Sequence, residues 1–521
     1  MSASREKQIR QEQASSGWVD PKVVREQEQR KKEKRSNILY GTIAVLFLIA
    51  IIVAGIWRSN VIPKNATAVT IDGEKYTAAE VTFYYQNVYQ NFISNYSYVV
   101  SYLGLDTNSS LSSQTMNETA VSWLGAEEGQ TWHDFFLDQA LTQMSTVQSV
   151  LKAAEAEGYT YSAGVQAQHE DSMTALKNAA EANSVSVSQF LKNQLGAQMT
   201  EKVYSAQVLR MLQYDDYASS HYDNLTYSDS EVDAAYKANL NSYDLVSYEI
   251  VAIPGTAEST TDAEGNEVEP TEEESAAALE KAEKAADEML AAYREGEDLE
   301  TLSQADESYV YTKKDDGTYS GDVVTEWLFD SARKAGDSTV LDYNSTYYVA
   351  VFLDRFRDET PEIDVRHILI QPESGTLSEG DEGYEEEQAQ LKADAKAKAD
   401  DILAQWKAGD ATEESFSALA LQESSDGSKY TGGLIDSITP DSGLVTAFKD
   451  WCLDESRKPG DTGVVETEYG AHVMYFVGEQ MPVWESNVVT DLRDADYDEW
   501  LNSLTTDSTI ERHDFGMKFV G

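Results

Sequence analysis

Apolar positions fall into three regimes along the chain. The first is one uninterrupted run, "ILYGTIAVLFLIAIIVAGIW", Ile38 to Trp57, 20 residues without a charge. A helix of that length crosses a hydrocarbon core of about 30 Å. In the second regime, residues 68–244, "AVTIDGEKYTAAEV" reads as a strand, an Asp-Gly turn and a helix start near Thr77. Apolar residues then recur at helical spacing, predicting helices over Phe135–Gly158, Ala163–Ala182, Val187–Leu195 and Glu201–Tyr217, with a polar loop at 104–119. The third regime starts at Tyr248, where strands, polar loops and helices alternate.

That third regime repeats. "SYEIVAIP" predicts a strand, followed by a polar loop and a helix over Ala276–Glu295. "VRHILIQP" predicts another strand, again followed by a polar loop and a helix, here over Gln388–Lys407. The tails align without a gap: "WLFDSARKAGDSTVLDYNSTYYVAVFLD" from Trp327 against "WCLDESRKPGDTGVVETEYGAHVMYFVG" from Trp451. The pattern is an internal duplication of an α+β unit of roughly 110–120 residues. After it, Asp491–Leu504 predicts an amphipathic helix, with Leu492, Tyr497, Trp500, Leu501 and Leu504 mostly along one stripe. A short, Asp-rich helix does not stand alone in water, so the stripe is expected to be buried on the 68–244 region.

Charge changes the picture by giving it a direction. The chain of 521 residues has a net charge of −52, which excludes a nucleic-acid partner that would need a basic face. Residues 1–37 hold 10 Lys and Arg against 6 Asp and Glu, while the remaining 484 hold 30 against 86. "RKKEKR", Arg30 to Arg35, stands just before the apolar run. The positive-inside rule then places residues 1–37 in the cytoplasm, a transmembrane helix at 38–57 and the acidic bulk outside the cell membrane. A cleaved signal peptide is the rival reading, with "ATA" at Ala66–Ala68 as its site. The run is longer than the core of about 7–15 residues usual for a signal peptide. Cys452 is the single cysteine, so neither an intrachain disulfide nor a multi-cysteine metal site is available. An exported chain without cysteine pairs points to a bacterial envelope; sequons such as those at Asn95 and Asn224 pull the other way.

Candidate chemistry lies in the second α+β copy. His367 stands in its first strand and His472 in its last, and neighbouring strands of one sheet can bring the two imidazoles together. Between them run a Gly-rich loop with Asp426 and the stretch "GLVTAF", whose Leu444 and Phe448 are expected on one helical face. A lone strand histidine is more often a buried core residue; the set in this order is more specific. In the first copy Glu249 aligns with His367, Tyr348 with His472 and Val324 with Phe448, while Asp316 is expected to keep the loop. The scaffold is read there as persisting without the site.

The stretches "RHILI" at Arg366–Ile370, "SSDGSKYTGGL" at Ser424–Leu434, "LVTAF" at Leu444–Phe448 and "TEYGAHVMYF" at Thr467–Phe476 resemble the parvulin-type peptidyl-prolyl isomerases. The resemblance implies that His367 and His472 are the central pair, with Asp426 where the family places a Cys or Asp. It implies Leu444 and Phe448 as the proline-ring pocket, Thr467 beside the second histidine, and no metal or cofactor. The family's acid before the Leu of its Gly-Gly stretch is missing from "GGLID". The whole chain resembles the exported foldases of the SurA and PrsA kind.

The expected multidomain architecture is a transmembrane helix, a mainly helical SurA-N-like chaperone domain at 59–244 completed by 488–521, and two tandem α+β parvulin-like domains. The first of these, at 245–357, is degenerate and the second, at 360–482, is the isomerase; 483–521 forms a C-terminal helix and tail. The expected function is isomerisation of X-Pro bonds in unfolded, exported polypeptides. The alternatives are a non-catalytic holdase or scaffold and an acidic surface adhesin, the last leaving the parvulin motifs unexplained.

Overall fold

The structure is a computed structural model that describes residues 42–43, 45–51, 65–261, 267–321 and 323–521. Within the apolar run Ile38–Trp57, the described residues are helical and exposed, and the rest of that run lies outside the described residues, as do residues 1–37. Among the described residues no helix is long and apolar enough to cross a membrane.

The chain divides into two compact units. The first takes the described residues within Met1–Ala153 together with Ser172–Met211 and Leu504–Gly521, and the second takes Ala154–Asp171 and Leu212–Ser503. The expected boundary at residue 244 therefore differs from the observed grouping. Helical periodicity marks where helices are, but not which stretch packs with which.

In the first unit, Thr77 starts the helix Ala78–Tyr96 through a capping box with Glu80. The strand Thr67–Ile71 lies between Glu74–Thr77 and the C-terminal strand Ile510–Arg512. Phe92, Trp132, Phe135 and Phe136 form its aromatic core, with Trp132 and Phe136 stacked at 5.6 Å. Completion of this unit by the C-terminus thus runs through the tail strand.

In the second unit, two four-stranded sheets share one strand order. The first runs Val310–Thr318, Asp244–Pro254, Thr346–Arg357 and Ser338–Tyr343; the second runs Leu434–Ile438, Pro361–Ile370, Gly470–Pro482 and Thr462–Thr467. Each sheet carries a long helix on one face. Glu272–Arg294 covers Val251, Ile253, Val349 and Val351, while Tyr384–Ala408 covers Ile368, Ile370, Ala471 and Val473. The duplication read from the sequence is therefore a duplication of topology.

The register corrects one alignment. Met474 lies opposite His367, and its counterpart Ala350 lies opposite Ile250. Ile250, not Glu249, occupies the place of His367. Glu249 is on the helix-facing side of its sheet with Val251, 3.7 Å from Lys313 Nζ. Matching Pro254 to Pro372 slips the strand by one, and a one-residue slip turns every side chain to the other face. Asp316 is also placed differently: it lies inside the strand Val310–Thr318 and forms no loop.

The helix expected over Asp491–Leu504 runs from Val483 to Thr505. Its Val488 and Val489 are buried against Val232, Tyr236 and Tyr243. Trp500 stacks on His221 at 3.9 Å and 15°. Tyr222 and Tyr243 donate to Asp494 and Asp491 at 2.8 and 2.7 Å. The stripe does find residues of the 68–244 region, although those residues group with the sheets. Trp500 remains only half-buried.

Candidate active site

Two adjacent antiparallel strands create the site. His367 lies on Pro361–Ile370 and His472 on Gly470–Pro482, with His472 opposite Leu369. The two histidines are therefore diagonal neighbours on one face, which is within reach for long side chains. Both are buried among polar partners. Their Nδ1 atoms are 3.1 Å apart and their rings are inclined by 21°.

A hydrogen-bonded chain runs through the pair. Thr467 Oγ1 is 2.8 Å from His472 Nε2. His367 Nε2 is 3.1 Å from Ser428 Oγ and 3.3 Å from Asp426 Oδ1. Thr467 also accepts the Tyr469 N–H at 3.1 Å, which fixes its rotamer at the end of the strand Thr462–Thr467.

The hydrogen bond from His367 holds the Asp426 carboxyl well below the usual carboxylate range, aided by Ser428 and opposed by burial. An ionised acceptor there requires a proton on His367 Nε2. When His367 is neutral its Nδ1 accepts, so His472 Nδ1 donates, its Nε2 accepts and Thr467 donates.

His472 is held neutral. Burial, and then repulsion from His367, push it down from 6.5 to about 4. Because the unfolded chain binds this proton more tightly, stability present above pH 6.5 is lost as pH falls towards about 4. The thermal midpoint of the unit that holds His472 is thus expected to fall more steeply across that window in the wild type than in His472→Gln. Equal slopes would show that the fold does not hold His472 neutral.

Asp426 is placed by a tight turn. It caps the short 3-10 turn Gly427–Thr431, and its side chain accepts the Ser428 N–H at 2.8 Å. Gly432 and Gly433 then take φ of +71° and +76°, where only glycine is unstrained. A Cβ on Gly433 would collide with the His367 carbonyl oxygen. The pair returns the chain so that the His367 N–H meets the Gly433 carbonyl at 2.8 Å.

The floor is apolar. Phe448 is 3% exposed and its ring stands nearly perpendicular to both imidazoles, with centroids 5.3 Å apart, at 88° and 75°. Val365, Met474, Phe476 and Cys452 pack around it, with Leu444 partly buried alongside. Leu444 and Phe448 do meet, but not on one helical face. The helix is Thr446–Cys452 with Val445 at its N-cap, so Leu444 precedes it.

The structure thus gathers His367, His472, Asp426, Thr467, Leu444 and Phe448 around one face of one sheet. Ser428 and Met474 join them without having been singled out in the sequence. The Asp-x-Ser spacing at Asp426 was the available signal for Ser428, because that spacing makes an Asx turn. Among the described residues no group of His, Cys, Asp and Glu is arranged to hold a metal.

Residues 351–480 match the family model of the PPIC-type PPIase domain. No curated protein matches the chain. Among solved structures, the chain is similar to the peptidylprolyl isomerase PrsA from Bacillus cereus, at 21% identity over 29% of this chain and with a TM-score of 0.18. The match spans half the length of that structure, 50%. PrsA from Bacillus subtilis is similar at 12% identity over 72% of this chain and 88% of its own, with a TM-score of 0.28. A Campylobacter jejuni structure described among SurA-like chaperones is similar at 13% identity over 65% and 80%, with a TM-score of 0.17. With its motifs, its strand order and the match over 351–480, the chain carries a domain of the PPIC-type peptidyl-prolyl isomerase family, the parvulins.

Proposed function

We propose that the chain is a membrane-anchored, extracytoplasmic folding factor whose 360–482 domain interconverts cis and trans X-Pro bonds in unfolded, exported polypeptides. One observation carries this reading: the unbroken chain Thr467–His472–His367–Asp426 lies against the ring of Phe448. The reaction fits those groups. An amide rotation barrier of about 18–20 kcal/mol reflects resonance that is lost in the twisted transition state. The X-Pro bond isomerises in tens to hundreds of seconds unaided. A proline ring held over Leu444 and Phe448 leaves water, and the ordered imidazoles fix the shape and field of the pocket. Asp426, His367, His472 and Thr467 act in this reading without covalent chemistry.

The anchor is proposed from Ile38–Trp57 and the basic residues before it. Protease added to wall-stripped cells is expected to remove residues 59–521 and spare 1–37; protection of the large part would overturn the topology. For the first α+β unit a binding role alone is favoured, because Ile250, Tyr348 and Val324 fill the places of His367, His472 and Phe448. The test of catalysis is a proline-peptide isomerisation assay on the full chain. Wild type is expected to exceed the uncatalysed rate, and His472→Ala to lower the gain by about a hundredfold while retaining the circular dichroism of the wild type. A folded wild type with no rate above background would leave the holdase reading in its place.

A further inference from the structure

The stretch Ala154–Asp171, the end of one helix and the start of the next, groups with the unit that holds the isomerase domain, although Lys429 lies 258 residues beyond Asp171. Its contact falls on the turn Gly427–Thr431, the same turn that carries Ser428 to His367. Asp171 Oδ2 accepts from Lys429 Nζ at 2.6 Å and from the Tyr430 hydroxyl at 2.8 Å. These two bonds hold the Asp171 carboxyl below its usual range. Gly164, in the first turn of the helix Ala163–Ala182, is buried and lies against the Tyr430 backbone. A Cβ at Gly164 would collide with the Tyr430 carbonyl oxygen.

We propose that Gly164 and Asp171 are positioning residues for the isomerase site, holding the Gly427–Thr431 turn so that Ser428 and Asp426 meet His367. The inference rests on the isomerase reading given above. The turn is a short 3-10 segment followed by two glycines; its own domain holds it through Asp426, Ser428, the Gly433 carbonyl and Arg366, which donates to the Thr431 and Gly432 carbonyls at 2.9 and 3.1 Å. Lys429 and Tyr430 point the other way, to Asp171. The helix therefore grips one side of a segment whose other side touches the imidazole. A displacement near 1 Å at such a point is enough to cost catalysis heavily.

The two residues act differently. The Asp171–Lys429 pair is half-exposed on the Asp171 side, and pairs of that kind contribute little. Gly164 supplies the close, buried approach. Ala is a better helix former than Gly, so Gly164→Ala strengthens its own helix while forcing the turn away. Loss of function in that variant cannot be assigned to a weakened helix.

The experiment uses the full chain and reads two quantities: kcat/KM for a proline peptide, and amide hydrogen exchange over residues 424–433. Gly164→Ala is expected to lower kcat/KM by about tenfold and Asp171→Ala by about threefold. Each should speed exchange in 424–433, and Asp171→Asn should recover most of the loss. Lys429→Met combined with Asp171→Ala should add little to either single change. Unchanged kcat/KM in Gly164→Ala would overturn the proposal, whatever the exchange does. Lowered activity with unchanged exchange would also overturn it, because the loss would then arise elsewhere. A wild type without isomerase activity would remove the reading it rests on. The exchange measurement would still decide whether the helix holds the turn: unchanged exchange in Gly164→Ala would end that claim, and faster exchange would sustain it.

Discussion

Phe448→Ala is expected to cost the PPIC-type domain about 3–5 kcal/mol and to reduce the proposed isomerase turnover by about a hundredfold or more. The stability term follows from burial. Phe448 is 3% exposed and packs with Ile363, Val365, Met474 and Phe476 beneath the two imidazoles. Removing its ring leaves a cavity that those strand residues cannot collapse to fill, because their backbones are fixed by the ladder. The activity term follows from position, since the same ring packs against both His367 and His472. Phe448→Leu separates the two effects. It keeps most of the volume, so the unit should remain folded with a loss of about 1–2 kcal/mol, yet the aromatic ring against the imidazoles is gone. Its kcat/KM is expected to fall by about tenfold or more. Thermal unfolding and the proline-peptide assay on the full chain measure both. A folded Phe448→Leu protein with wild-type turnover would show that the chemistry does not use this ring.

Some of this was legible in the sequence for clear reasons. The helices Ala163–Ala182 and Val187–Leu195 begin and end where periodicity puts them, the second behind the Ser186 cap and before Gly196. His367 and His472 were legible because histidine is rare in this chain, 6 in 521 residues, and each stands inside an apolar strand. What failed was register. A strand repeats every two residues, so matching Pro254 to Pro372 put Glu249 where Ile250 belongs, with a ladder irregularity between Ser247 and Tyr248 nearby. Leu444 was read into a helix because a four-residue spacing looks helical even when the helix begins two residues later. The first turns of the helix Val483–Thr505 were missed because "VWESNVVT" is β-branched and valine-rich. Burial of Val488 and Val489 against Tyr236 and Tyr243 overrides that local preference. The Asp171 contact was not legible at all, since nothing local in either stretch encodes a partner 258 residues away.

Deleting residues 506–521 is expected to unfold the first compact unit or leave it on the order of 5 kcal/mol less stable, comparable with the whole margin of an ordinary domain. These residues supply the third strand of its sheet: Ile510, Glu511 and Arg512 pair with Ile71, Thr70 and Val69. Val69 and Ile71 are fully buried. Without the tail, the strands Thr67–Ile71 and Glu74–Thr77 become a two-stranded hairpin, which is marginal on its own. The tail is also held by polar bonds that would be left open. Asp72 accepts the Thr509 N–H at 2.7 Å and the Ser508 hydroxyl at 3.1 Å, and its carboxyl is lowered chiefly by the Thr509 bond. His513 donates its N–H to the Ala68 carbonyl at 2.8 Å, and its ring meets Thr70 Oγ1 at 2.7 Å. Asp72→Ala gives a graded version, since it removes the anchor but leaves the strand, and should cost about 1–3 kcal/mol. Limited proteolysis can follow cleavage within Ala78–Tyr96, while thermal unfolding reports the transition of the unit. A truncated protein with wild-type protease resistance and an unchanged transition would mean that the N-terminal hairpin holds its helices without the C-terminal strand.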